Sequence, residues 1–130
     1  MKSKMENKPD KETDLNKRLY NFALKIVLLV RSLPRELAAH EIGRQLLKAG
    51  TSTAANYEEA RGGFSKEDFI YKINTAFKEA KETNFWLRLL RDSRIVKEDQ
   101  VKELINESIE IGNILGKSVK TAKERNKKRI

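Results

Sequence analysis

The segment from Thr51 to Phe69, TSTAANYEEARGGFSKEDF, restricts the fold more than any other part of the 130-residue chain. Gly62-Gly63 offers backbone without a Cβ where a helix C-terminus has to turn through positive φ. Ser65, followed three residues on by Asp68, has the spacing of an N-cap and N3 pair, with Asp in place of the preferred Glu or Gln. A helix end, a reversal and a capped helix start in so short a span predict two long helices lying antiparallel.

Periodicity on both sides extends that pattern. Asp14 is the expected N-cap of a first helix whose seam is Leu15, Leu19, Phe22, Ile26, Leu29 or Val30, and Leu33. Pro34 disfavours helical geometry at Leu33 and ends it. A second helix begins around Arg35–Ala39 and carries Ile42, Leu46, Leu47, Ala54, Tyr57 and Ala60. Gly50, Thr51, Ser52 and Thr53 weaken its middle, which predicts either a kink or the close approach of a neighbour. The third helix runs from Lys66 to about Ser93 along Phe69, Ile73, Ala76 or Phe77, Ala80, Leu87 and Leu90. After a reversal at residues 94–97, the fourth follows Val101, Leu104 or Ile105, Ser108, Ile111, Leu115, Val119 and Ala122. Short connections between four such helices predict an all-α, antiparallel up-and-down bundle. The expected division is a disordered polar leader over residues 1–13, the bundle over 14–124, and a basic tail over 125–130.

More apolar surface is present than one copy of such a bundle can bury. Leu24, Val27 and Leu28 widen the first stripe, Phe85, Trp86 and Leu89 flank the third, and Ile109 and Ile114 lie off the fourth. Large exposed apolar patches mark interfaces, so a homo-oligomer is expected. Charge is polarised as well, with a formal net value of +9. Lys17, Arg18, Lys25, Arg31 and Arg35 stand in the first helix region without an acidic residue among them. From Lys117 onward, Lys117, Lys120, Lys123, Arg125, Lys127, Lys128 and Arg129 face Glu124 alone. Such an end is either a solvated terminus or a phosphate-binding stripe that a symmetric assembly would multiply. No base-reading motif accompanies it, so contacts to RNA or DNA would be to the backbone. The expected nucleic-acid set is the C-terminal seven together with Arg18, Lys25 and Arg31.

Several chemistries are disfavoured. There is no cysteine, and His40 is the only histidine, which removes thiolate sites and any two-histidine metal site. Ser52 lies twelve residues from His40, roughly 18 Å along one helix, so the two cannot form a nucleophile–base pair within a chain. No enzyme activity, metal or cofactor is expected. No apolar run is long enough for a membrane span, and a cytoplasmic protein is expected. Gly112 and Gly116 form a G-x-x-x-G whose charged surroundings point to close helix packing in a water-soluble bundle. Ser52, Asn56 and Glu59 share one helical face, and Glu79 and Glu82 another; they read as register-setting polar residues or an oligomer seam rather than a carboxylate metal site.

The chain resembles the bacterial four helix bundle protein family, the 23S rRNA-intervening sequence proteins. The resemblance rests on Leu33-Pro34 followed by Glu36, on Leu46, and on Ser52, Asn56 and Glu59. It continues through Lys66, Asp68 and Phe69, through Glu79 and Glu82 ahead of Trp86-Leu87, and into the run ILGKSVKTAKE. It covers about residues 15–124. Many relatives have Glu-Gly where this chain has Glu59-Ala60, and Ile at the position of Thr53. The resemblance implies a bundle that assembles as a homopentamer. It also implies similarity to the accessory protein of diversity-generating retroelements, a basic pentameric barrel that binds nucleic acid and a reverse transcriptase.

Overall fold

The computed structural model describes residues 11–62 and 65–129 and contains four helices: α1 (Lys11–Arg31), α2 (Leu37–Arg61), α3 (Lys66–Asp92) and α4 (Glu98–Arg129). Each helix packs against its neighbours in the chain, α1 and α4 meet least, and the diagonal pairs do not approach closely. The architecture is the all-α, up-and-down bundle that the periodicity predicts.

The four seams converge on one core. Leu19, Phe22, Ile26 and Leu29 of α1 are buried, as are Ile73, Ala76, Ala80, Leu87 and Leu90 of α3. The α4 seam is buried from Val101 through Leu104, Ile105, Ser108, Ile111 and Leu115 to Val119. α2 differs in kind. Its buried face is Ala39, Gly43, Leu46, Ala49, Gly50, Thr53, Tyr57 and Ala60, mostly small residues. The stretch around Gly50 is therefore a contact surface, and α2 runs through it as one helix. A Cβ at Gly50 would stand 2.9 Å from Ile26 Cγ2, and one at Gly43 would stand 2.9 Å from Leu33 Cδ1. Of the two α4 glycines, Gly116 lies under the Phe77 ring, where a Cβ would come within 3.0 Å, whereas nothing stands within 4 Å of one at Gly112. The close-packing expectation holds for one of the pair.

Buried hydroxyls are satisfied within their own helices. Thr53 Oγ1 donates to Ala49 O at 2.9 Å, Thr83 Oγ1 to Glu79 O at 2.7 Å, and Ser108 Oγ to Ile105 O at 2.7 Å.

Helix ends correct the expected boundaries. α1 is already helical at Lys11, so Asp14 lies within the helix and is not its N-cap. Gly62 ends α2 at φ −82, its N–H donating to Glu59 O at 3.1 Å, so it does not adopt the expected positive φ; Gly63 lies outside the described residues. Ser65 caps α3 as expected, its side chain accepting from the Asp68 N–H at 3.0 Å. At α4 the complementary half of a capping box appears: the Lys97 N–H donates to Gln100 Oε1 at 2.8 Å. The left-handed residue is Arg94, at φ 65 after α3. There the Ile95 N–H donates to Leu90 O at 3.2 Å and the Arg94 N–H to Arg91 O at 3.0 Å, a Schellman motif with arginine where glycine is usual. α4 continues unbroken to Arg129, so residues 125–129 extend the helix and are not a separate tail.

Candidate nucleic-acid interface

The C-terminal part of α4 carries the site. Arg18 on α1 grips α4 from the side: its Nε donates to Glu107 Oε2 at 2.7 Å, and its Nη2 to Glu107 Oε1 at 2.7 Å and to Glu110 Oε1 at 2.9 Å. Lys11 stands seven residues earlier in α1, about 10 Å along the axis, which places it level with residues near 115 of the antiparallel α4. α4 therefore outruns the described part of α1 by about four turns. Over that length a groove of about 950 Å³ lies between α2, α3 and α4.

The groove has an apolar floor that includes Phe69, Ile70, Ile73 and Ile114, and a rim that includes Arg61, Lys66, Lys117 and Arg125. None of its fifteen lining residues is acidic. A second groove, of about 920 Å³, follows the thin α1–α4 seam, where Lys17, Arg18 and Lys25 are mixed with Asp14, Asp99, Glu103 and Glu107. Two depressions of similar size on one bundle thus differ in charge. One is cationic over apolar side chains; the other is close to balanced.

This geometry divides the expected binding set. Lys117, Lys120, Lys123, Arg125, Lys127 and Lys128 are all exposed on α4, and none is in an ion pair among the described residues. Lys117 and Arg125 turn to the groove, while Lys120 and Lys123 do not line it, so the cations surround the helix end and do not form one stripe. Of the Arg129 side chain the structure gives no description. The α1 residues do not join this cluster. Arg18 is committed to Glu107 and Glu110, which raise its pKa, and the Arg18 hydrogen bond in turn holds the Glu107 carboxyl below its ordinary range. Lys25 lies in the charge-balanced groove, and Arg31 is in the last turn of α1, at the opposite end of the bundle.

The polar set from the sequence is also redistributed. Asn56 Nδ2 donates to Ser52 O at 2.9 Å, so this pair stays within α2 and ties no helices together. Glu59 does cross: Lys72 Nζ donates to its Oε1 at 2.7 Å, joining α2 to α3. Glu82 accepts from Trp86 Nε1 at 3.2 Å within α3, and the Trp86 ring meets Phe85 edge to face with centroids 4.8 Å apart. Glu79 is half-buried, and that burial, reinforced by Glu82 and opposed by Lys48, raises its pKa. The tie between α3 and α4 is Asn84 Nδ2 donating to Ser108 Oγ at 2.9 Å, a pair that the expected polar set does not include. Ser108 stood within a predicted seam; Asn84 carried no signal beyond its place on the flank facing α4. Among the described residues no three acidic or histidine side chains are placed to hold a metal ion, and no helix is long and apolar enough to cross a membrane.

The fold and its cationic end define a class: small, all-helical, up-and-down bundles with a basic C-terminal helix. The family model described as 23S rRNA-intervening sequence protein matches residues 11–117, and the chain belongs to that family. It is also similar to a solved structure described as a protein with unknown function from the S23 ribosomal protein family of Bacteroides thetaiotaomicron VPI-5482. The two share 36% identity at a TM-score of 0.78, over 85% of this chain and 98% of the other. A comparison with curated proteins gives no match.

Proposed function

We propose that the protein is a non-enzymatic, self-associating bundle that binds RNA or DNA through phosphate contacts made by the C-terminal third of α4. The observation that carries this reading is the accumulation of exposed, unpaired cations from Lys117 to Lys128 beside a groove free of carboxylates. Self-association is supported by apolar side chains left in water: Leu24 is 47% exposed, Leu28 53%, Phe85 46% and Ile109 50%. A ring of copies, a homopentamer as the resemblance implies, repeats the cationic end and raises avidity without new contacts. A nucleic-acid enzyme such as a reverse transcriptase is the kind of further partner that the same resemblance implies.

A salt titration of binding to a generic RNA tests the reading. With about five phosphates engaged per molecule, log affinity falls against log salt with a slope near −4 to −5. Lys117→Glu combined with Arg125→Glu weakens binding across all sequences. Absence of binding at ~50 mM salt removes the proposal and leaves the second reading, a protein–protein scaffold, which the exposed Tyr20, Leu24 and Leu28 stripe on α1 favours.

A further inference from the structure

The geometry points to the groove between α2, α3 and α4 as a seat for unpaired nucleotides, which makes single-stranded nucleic acid the preferred substrate. This inference rests on the proposed phosphate binding and adds to it a reason for discriminating strandedness.

A surface that reads only duplex phosphates needs no more than exposed cations, and the far flank of α4 with Lys120 and Lys123 would serve for that. The groove is of a different kind. Its cations stand on the rim and its floor is apolar, with the Phe69 ring, Ile70 and Ile114 open to it. Nucleotides match that division: an anionic backbone and a base with an apolar face. In a duplex the base faces are stacked and unavailable, whereas in a single strand they are free to lie on aromatic and aliphatic side chains between cations that hold the phosphates. Lys117 and Arg125 are eight residues apart, about 12 Å along the helix, so the rim runs lengthwise and suits an extended strand.

Charge also argues against the chain's own leader as occupant. Residues 1–10 carry Lys2, Lys4 and Lys8 against Glu6 and Asp10, the wrong sign for a cationic rim, and Met1 and Met5 are their only large apolar side chains. An acidic amphipathic peptide from a protein partner would match the rim and floor. Nucleic acid is favoured over it because the cations do not stop at the groove: Lys127 and Lys128 continue them along α4.

Fluorescence anisotropy on the full chain, with three labelled oligonucleotides of one length, tests this: a uridine-rich RNA single strand, its duplex, and a single strand with abasic sugars in place of bases. The expected result is a single strand bound about ten-fold more tightly than either the duplex or the abasic strand, on the scale of one stacked base. Phe69→Leu, which keeps an apolar side chain, abolishes most of that advantage and leaves duplex affinity unchanged. Equal affinity for intact and abasic strands overturns the base seat while leaving phosphate binding in place. No binding of any oligonucleotide overturns both. An acidic amphipathic peptide that binds more tightly than the RNA and displaces it assigns the groove to a protein partner instead.

Discussion

Gly50 lies directly on Ile26: a Cβ built at Gly50 would stand 2.9 Å from Ile26 Cγ2 and 3.2 Å from its Cβ. The second distance matters more, because a side chain can swing a terminal methyl away but cannot move its Cβ without its backbone. Gly50→Ala is therefore expected to push α1 from α2 and to cost about 1–3 kcal/mol, the range for overpacking a filled core. Gly112→Ala is the matched control. It meets nothing within 4 Å, and it is expected to add up to about 1 kcal/mol through helix propensity. Urea denaturation of the two variants gives midpoint shifts of opposite sign.

Arg94 holds a left-handed conformation at φ 65 that glycine adopts without a Cβ penalty. Arg94→Gly is expected to raise stability by about 1 kcal/mol with the Schellman hydrogen bonds intact. A thermal midpoint that falls instead would mean that the arginine side chain contributes more than its backbone strain costs.

The Arg18–Glu107 pair spans the thinnest seam of the bundle, and its side chains remain about one-third exposed. Solvent screening therefore limits its worth, and Arg18→Ala is expected to cost about 1 kcal/mol. The pH dependence follows from the depressed Glu107 carboxyl. A carboxylate with a lowered folded-state pKa contributes stability above its unfolded value, and loses it as pH falls through the folded one. The wild-type protein should lose stability on acidification below the ordinary glutamate value of 4.5, and Glu107→Gln should flatten that part of the curve.

Glu79 has the opposite sign. Burial and the neighbouring Glu82 raise its pKa, so the fold accommodates the protonated form better, and stability is lost as pH rises through that value. Glu79→Gln is expected to stabilise at pH 7 by up to about 0.5 kcal/mol. The gain disappears in acid, where the wild-type carboxyl is itself neutral; guanidinium titrations at the two pH values show it.

Leu24 and Leu28 lie one turn apart on the exposed side of α1. If copies meet there, Leu24→Glu with Leu28→Glu produces monomers by light scattering and leaves the helical circular dichroism unchanged. An unaltered mass would place the subunit contact on another face, such as that of Phe85 and Ile109.

Helix number, order and most of the core were legible because period-3.6 burial depends on side-chain type alone. Leu19, Phe22 and Ile26, and the α4 seam from Val101 to Val119, could be read directly. α2 was legible only in part: a face built from Ala, Gly and Thr gives no strong apolar signal, and its burial follows from how closely α1 approaches. Arg94 escaped because left-handed geometry is normally marked by Gly or Asn. At the candidate site the cations of α4 could be counted in the sequence. The groove beside them could not, because residues of α2, α3 and α4 that are far apart in the chain line it together. Arg18 counted as a free cation until the fold brought Glu107 and Glu110 to it.

α4 extends about four turns beyond the level of Lys11, the first described residue of α1. The last of those turns holds Lys127 and Lys128, near the pole of the helix where positive charge is electrostatically welcome. Two of the residues offered to a polyanion thus also help to keep that end wound. Neutralising them one at a time should loosen grip and helicity together, and a bound polyanion would compete with the helix for the same ammonium groups.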